Sequence, residues 1–225
     1  KTIPASIYQL SGRDIEEKLK SRRDQLHKYA AEYFHFLTNN IDVIGSDKRE
    51  FFKIERLNAD STLVSMYKMN KNREVTDLVY MRTLYTEQTK ELRLYGLAGE
   101  DSFHISGAAK KGILVRVLGG NDKDAIIDSS SVKGLKRKTV VYDTPGNEFV
   151  FSKESKQKIS YDSIQNAYDS KGFRHDWLAP KLAPGYNPDD GIYVGGGIVF
   201  KRHKFQKAPF GYMHAVWANY AFATG

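Results

Sequence analysis

Leu92-Arg93-Leu94-Tyr95-Gly96-Leu97-Ala98-Gly99-Glu100-Asp101-Ser102-Phe103 is answered 23 residues later by Val115-Arg116-Val117-Leu118-Gly119-Gly120-Asn121-Asp122-Lys123-Asp124-Ala125-Ile126. Each block runs from an apolar alternating strand into a turn of glycine and aspartate, then into a second short apolar strand. Gly96 and Gly119 stand 23 residues apart, as do Asp101 and Asp124. Self-similarity at a fixed step of this size marks stacked repeats, in which each strand–turn–strand unit buries its apolar face on its neighbours. A third unit, Thr139–Phe151, falls around Asp143-Thr144-Pro145-Gly146. Stacked rungs are the simplest arrangement of the three; a folded-over sandwich is the alternative.

Upstream of the repeat, Phe51–Leu57 alternates, Asn58-Ala59-Asp60-Ser61 reads as a turn, and Thr62–Met69 and Glu74–Leu84 continue as strands. Residues 1–10 read as extended. Ser11-Gly12-Arg13-Asp14 has the hydroxyl and carboxylate of a capping box, so a helix is expected from Asp14 to Thr38, stopping at Asn39-Asn40. Its apolar stripe is Ile15, Leu19, Leu26, Ala30, Tyr33 and Leu37. Arg22 falls on that stripe, where it snorkels or meets a buried carboxylate; a structural ion pair is expected. Downstream, residues 152–190 lose the alternation. Pro180, Pro184 and Pro188 mark a linker centred on Ala179–Asp190, closed by the tight-turn sequence Pro188-Asp189-Asp190-Gly191. Ile192–Arg202 and Tyr212–Thr224 then alternate as two long strands. The expected fold is α+β, mainly β: a long N-terminal helix packed on stacked antiparallel or rung-like strands, with a C-terminal β-hairpin. The expected division is a helix plus β-rich connecting domain over 1–178, a linker over 179–190 and the hairpin over 191–225.

Composition narrows the function classes. With 40% hydrophobic and 28% charged side chains, the 225 residues can build an ordinary core and keep a hydrated surface. The chain opens on Lys1 without a signal peptide, which reads as a processed protein or an excised fragment. Cysteine is absent, which excludes disulfides, thiol nucleophiles and zinc sites with thiolate ligands. The net charge of +8 gathers in two clusters, Lys133, Lys136, Arg137 and Lys138, then Lys201, Arg202, Lys204 and Lys207. Such charge suits anionic lipid or lipopolysaccharide; nucleic acid is not expected, because no nucleic-acid-binding motif accompanies it. The nucleophile elbow, the P-loop and the H-E-x-x-H motif are all missing. His175-Asp176 is an isolated pair, Gly146-Asn147-Glu148 lacks the histidine of a metallophosphoesterase motif, and the six histidines show no metal-ligand spacing. No catalytic residue is assigned.

The glycine–aspartate turns carry the one cofactor expectation. Gly119-Gly120-Asn121-Asp122-Lys123-Asp124-Ala125-Ile126-Ile127 matches the calcium-binding nonapeptide G-G-x-G-x-D-x-U-x except at its fourth position. Gly96-Leu97-Ala98-Gly99-Glu100-Asp101-Ser102-Phe103-His104 matches except at its second. On this reading Asp101, Asp122, Asp124 and Asp128 hold calcium, and Gly96, Gly99, Gly119 and Gly120 shape the turns. The repeat spacing of 23 residues differs from the nine or eighteen that set such turns side by side. Plain turn chemistry, with glycine at positive φ and aspartate bonding its own backbone, is the competing reading.

The two C-terminal strands are long enough to cross an outer membrane as β-strands, with Trp217, Tyr220 and Phe222 the candidates to face lipid; a hairpin of a soluble sheet is the alternative. Arg22-Arg23, Ile41-Asp42-Val43-Ile44-Gly45-Ser46-Asp47, Arg93-Leu94-Tyr95-Gly96-Leu97-Ala98-Gly99-Glu100-Asp101 and Pro188-Asp189-Asp190-Gly191-Ile192-Tyr193-Val194-Gly195-Gly196-Gly197 together carry a family resemblance. The chain resembles the C-terminal region of large exported Gram-negative envelope proteins. Some of these have a calcineurin-like phosphoesterase domain upstream and a surface-antigen-type outer-membrane β-barrel downstream. The resemblance implies a non-enzymatic module of the cell envelope, periplasmic or outer-membrane associated, that links an upstream exported domain to a barrel. Its partners would be those parent domains, with membrane or lipopolysaccharide contact. A calcium-stabilised binding module is one alternative, and an accessory part of a metallophosphoesterase is the other. No catalytic residue of the phosphoesterase carries over, because none of its motifs is present.

Overall fold

A computed structural model describes residues 4–58, 60–172, 174–189 and 191–223. The chain divides into two compact units, Lys1–Tyr168 and Asp169–Gly225.

The first unit is a coiled stack of parallel strands. One sheet contains β1 (Asn40–Ile44), β5 (Glu91–Tyr95), β7 (Leu114–Leu118), β10 (Thr139–Asp143) and β12 (Ser155–Ile159), in that spatial order. The facing sheet contains β2 (Glu50–Arg56), β6 (Ser102–Ala109), β8 (Ala125–Asp128) and β11 (Glu148–Val150), all parallel; the short β9 (Ser131–Val132) also pairs with β6. Each turn of the coil contributes one strand to each sheet. The 23-residue step of the sequence repeat is one complete coil: Leu92 pairs with Val115, and Phe103 with Ile126. Thr139–Phe151 is the third unit of the repeat, as β10 and β11. Between β2 and β5 the chain makes an antiparallel excursion, β3 (Ser61–Met69) and β4 (Val75–Tyr85), which widens the second sheet beyond β2.

Equivalent residues stack in columns, so like packs on like. Phe52 lies on Phe103 with ring centroids 4.6 Å apart and planes within 11°. Phe52, Phe103, Ile126, Leu92, Leu94, Val115, Val117 and Val141 are all fully buried. Burying one such side chain stabilises by about 1.5–3 kcal/mol, so these columns are the main source of cohesion.

The helix differs from expectation. Helical backbone begins at Ala5, passes through a π-helical turn at Tyr8–Gly12, and continues as the long helix Arg13–Asn39. No side chain caps its start, and Asn40 is already extended, so the chain passes straight into β1. The apolar stripe does not pack on the strands: Ile15, Leu19, Leu26, Tyr33 and Leu37 are 49–63% exposed. The sheets bury their apolar faces against each other. The outer side of the first sheet presents Asp42, Arg93 and Arg116, tied together through Glu91, which is no dock for an apolar stripe. Arg22 is likewise exposed, so the ion pair expected beneath the helix has no buried setting.

The second unit is one antiparallel sheet of β13 (Trp177–Asn187), β14 (Gly191–Lys204) and β15 (Lys207–Ala221), in that order. The stretch read as a linker is therefore a strand as far as Asn187, and the boundary between units lies at Tyr168/Asp169 rather than near residue 178. Prolines are tolerated because β13 is an edge strand. Pro180 and Pro184 are four residues apart, hence at equivalent ladder positions, and their missing N–H groups can face away from β14. Asp190 and Thr224 lie outside the described residues.

Candidate functional site

Two places could carry function: the glycine–aspartate corner of the coil and the C-terminal sheet.

At the corner, register aligns two columns. Gly45, Gly96 and Gly119 each follow a strand of the first sheet and Asp143 ends one, at equivalent places since Ile44, Tyr95, Leu118 and Tyr142 are paired in series. Glu50, Asp101, Asp124 and Asn147 each precede or open the strand of the second. The turns expected to lie apart are thus direct neighbours. Their carboxylates, however, turn inward onto the backbone. Asp101 accepts a hydrogen bond from the Glu50 N–H at 2.7 Å, and Asp124 accepts one from the Asp101 N–H at 2.9 Å. Gly96 and Gly119 make room for them: a Cβ on Gly96 would collide with Asp101 Oδ2, and one on Gly119 with Oδ2 of both Asp124 and Asp143. Gly99 and Gly120 sit at positive φ, 101° and 107°, as the turn reading requires.

The second oxygens are isolated. Oδ2 of Asp101, Asp124 and Asp143 is buried in each case without a hydrogen-bond partner among the described residues. Burial, the largest cause, pushes the Asp101 carboxyl up to about 9, Asp124 to about 8 and Asp143 to about 6. Neighbouring acids add to the rise at Asp101 and Asp124, while Asn147 and the Thr144 N–H restrain it at Asp143. Asp101 and Asp124 therefore hold protons at neutral pH, while Asp143 has largely released its own.

The four residues expected to bind calcium do not converge. Asp122 sits on the exposed turn and accepts from the Gly99 N–H at 2.9 Å. Asp128 lies at the opposite end of β8, accepting from the Ser130 N–H and from the Ser152 and Ser155 hydroxyls. Among the described residues, no group of three or more His, Asp or Glu side chains is arranged to hold a metal ion. A cavity of about 230 Å³ opens beside the column, lined by Phe51, Met69, Arg73, Val75, Ser102 and His104 as well as Asp101, whose carboxyl is committed to Glu50.

In the C-terminal sheet, side chains alternate across the pleat and register sorts them into two faces. One face carries Leu178, Pro180, Leu182, Pro184 and Tyr186 from β13. Opposite them stand Ile192, Val194, Gly196, Ile198 and Phe200 of β14, then Tyr220, Ala218, Val216 and His214 of β15. Leu178, Leu182, Tyr186, Ile192, Val194, Ile198, Val216, Tyr220 and Phe222 are 47–80% exposed. Aromatics gather at both ends of this face: Phe200 against Tyr212, and Tyr220 against Phe222. Aliphatic residues fill the middle. The eight steps from Ile192 to Phe200 span about 26 Å along the strand.

The other face is mixed. It carries Ala179, Lys181, Ala183, Gly185, Gly195, Gly197, Lys201, Ala215 and Asn219, together with Trp177, Tyr193, Val199 and Met213. Trp217 belongs here, lying over Gly195 and Gly197 with the Lys181 ammonium 5.0 Å from its ring, so it does not share a surface with Tyr220 and Phe222 as expected. Lys201 stands likewise over Trp177. The β13 residues of the apolar face were hidden in the sequence by their prolines, although Leu178, Leu182 and Tyr186 keep the even-number alternation. Among the described residues, no helix is long and apolar enough to cross a membrane.

Comparison with protein-family models, with curated proteins and with solved structures finds no match to this chain.

Proposed function

We propose that this chain is a non-enzymatic module of a bacterial cell envelope, in which a stacked β-coil is followed by strands that belong to an outer-membrane β-barrel. The observation that carries the reading is the alternation of β13–β15: an exposed apolar face with aromatic ends, backed by a face in which glycine, alanine, lysine and asparagine are mixed with Trp177, Tyr193, Val199, Met213 and Trp217. Barrel strands alternate in this way, apolar toward lipid and polar toward the lumen, with aromatic girdles at both interfaces. At the usual tilt of roughly 35–45°, a 26 Å stretch crosses about 20 Å, close to the apolar band of about 25 Å that such barrels present. A barrel has at least about eight strands, so these three would be completed by strands of the parent chain. The chain would then link an upstream exported domain to that barrel, with Lys201, Arg202, Lys204 and Lys207 at one rim near anionic headgroups.

The test places a lysine on either face of β15 in the parent chain that completes the barrel, folded into phospholipid vesicles. Val216→Lys, mid-face among the apolar residues, should reduce stable insertion by about 2–4 kcal/mol, a factor of thirty or more. Ala215→Lys, its neighbour on the mixed face, should leave insertion unchanged. Equal effects of the two substitutions, or a chain that never associates with vesicles, would count against the reading.

A further inference from the structure

The long helix offers a seam rather than a general apolar face. Ile15, Leu19, Arg22, Leu26, Tyr29, Tyr33 and Phe36 follow one another at alternating steps of four and three residues. That is the 3.5-residue period of a coiled coil, held for three heptads, and it calls for another helix in register because each seam side chain inserts between four of its partner's. The apolar members of the seam are 49–63% exposed. At about half exposure they offer on the order of 600 Å² per copy, near the roughly 800 Å² per partner of a standard interface. A helix meant for an anionic membrane surface would carry a clear excess of lysine and arginine. Arg13–Asn39 has six basic and five acidic side chains, a balance that suits pairing with itself.

Arg22 sets the direction. In a parallel pair it would stand opposite its own copy, two guanidinium groups in one layer. In an antiparallel pair with Leu26 opposite Tyr29, the same seam places Leu19 opposite Phe36 and Arg22 opposite Tyr33, beside Glu32 of the other helix. A ring face and a carboxylate then meet the guanidinium that a parallel seam would leave repelled. We propose that two copies of this chain associate through the helix Arg13–Asn39 as an antiparallel coiled coil, with Arg22 of each copy held by Tyr33 and Glu32 of the other. This pairing is independent of the membrane reading.

The chain has no cysteine, so introduced thiols report only on themselves. Differently tagged full-length Leu19→Cys and Phe36→Cys chains, mixed under mild oxidation in detergent, should give a mixed disulfide dimer of twice 25.6 kDa. Leu19→Cys alone should give at least tenfold less dimer, because its two thiols would lie about 26 Å apart along the axis. Leu26→Lys added to both chains should abolish the mixed product while circular dichroism keeps the helical signal. Self-crosslinking of Leu19→Cys as strong as the mixed product would overturn the antiparallel pair. So would a mixed product no stronger than that from Ser21→Cys, which lies on the outer side of the helix.

Discussion

The buried carboxyl column makes stability depend on pH in an unusual direction, and Asp124→Asn isolates one member. Asparagine keeps the oxygen that accepts from the Asp101 N–H but cannot ionise. One coil further on, Asn147 already occupies the equivalent place. In the folded chain burial holds the Asp124 carboxyl at about 8, against roughly 3.9 in the unfolded chain. A pKa raised on folding contributes stability that is fully present below the unfolded value and is lost as pH rises toward the folded one. Between pH 4 and pH 7 the native state keeps a proton that the unfolded state releases, so wild type should lose on the order of 4 kcal/mol from this site alone, at about 1.4 kcal/mol per pH unit. Asp124→Asn removes that slope. The two proteins should be similar in stability at pH 4 and diverge steadily, the variant melting about 8–15 °C higher at pH 7 for a unit of this size. Urea or thermal unfolding at pH 4, 5.5, 7 and 8.5 measures the divergence, with Asp122→Asn on the exposed turn as control. Parallel stability curves for wild type and Asp124→Asn would refute the reasoning, because the site would then be hydrated or paired in a way that leaves its carboxyl ordinary.

Arg56 is 2% exposed and donates to the Ile113 and Lys138 carbonyls and to the Thr139 hydroxyl, so Arg56→Ala should cost about 3–5 kcal/mol by urea unfolding; a loss under 1 kcal/mol would mean the coil closes without it. Calcium at millimolar concentration should give neither titration heat nor a thermal shift, since the Asp101 and Asp124 carboxyls are buried and keep their protons at neutral pH while Asp122 and Asp128 do not converge on them; a saturable shift abolished by Asp122→Asn would restore the calcium reading.

The coil was legible in the sequence because its period is written twice, with glycine and aspartate at the same offsets. Stacking requires this: a column of side chains can only close if each rung offers the same shape at the same place. What could not be read was the direction of the carboxylates. Gly96 and Gly119 fit calcium turns and fit a pocket for Asp101 and Asp124 equally well, and only the register shows the latter. The strand β13 was missed because proline usually ends strands, and whether a strand lies at a sheet edge is decided by its neighbours. Arg22 was misread for a related reason. A polar residue on an apolar stripe implies a partner only once something covers the stripe, and local spacing does not say what does. Arg56, the buried cation of the coil, had no sequence signal, because an arginine at a strand end is ordinarily solvated.

The two units use the same period-two pattern with opposite sense. In the coil the inward apolar residues Ile41, Val43, Phe52, Ile54, Leu92, Leu94, Phe103, Ile105, Val115, Val117, Ile126 and Val141 are all below 9% exposure, and outward positions of the first sheet carry charge. In β13–β15 one face is almost wholly apolar and exposed, and the opposite positions mix glycine, alanine, lysine and asparagine with Trp177, Tyr193, Val199, Met213 and Trp217. Nine large apolar side chains at 47–80% exposure present on the order of 800 Å², above the few hundred that a soluble surface usually tolerates. Another sheet laid over this face would also remove it from water. A sandwich core, however, has no reason to draw its aromatics to the two ends. Here Phe200 and Tyr212 stand at one end, Tyr220 and Phe222 at the other, and valine, isoleucine, leucine and alanine lie between. That gradient matches a slab with two wet interfaces and a dry centre, and it is what supports lipid over a covering sheet in the proposed reading of this face.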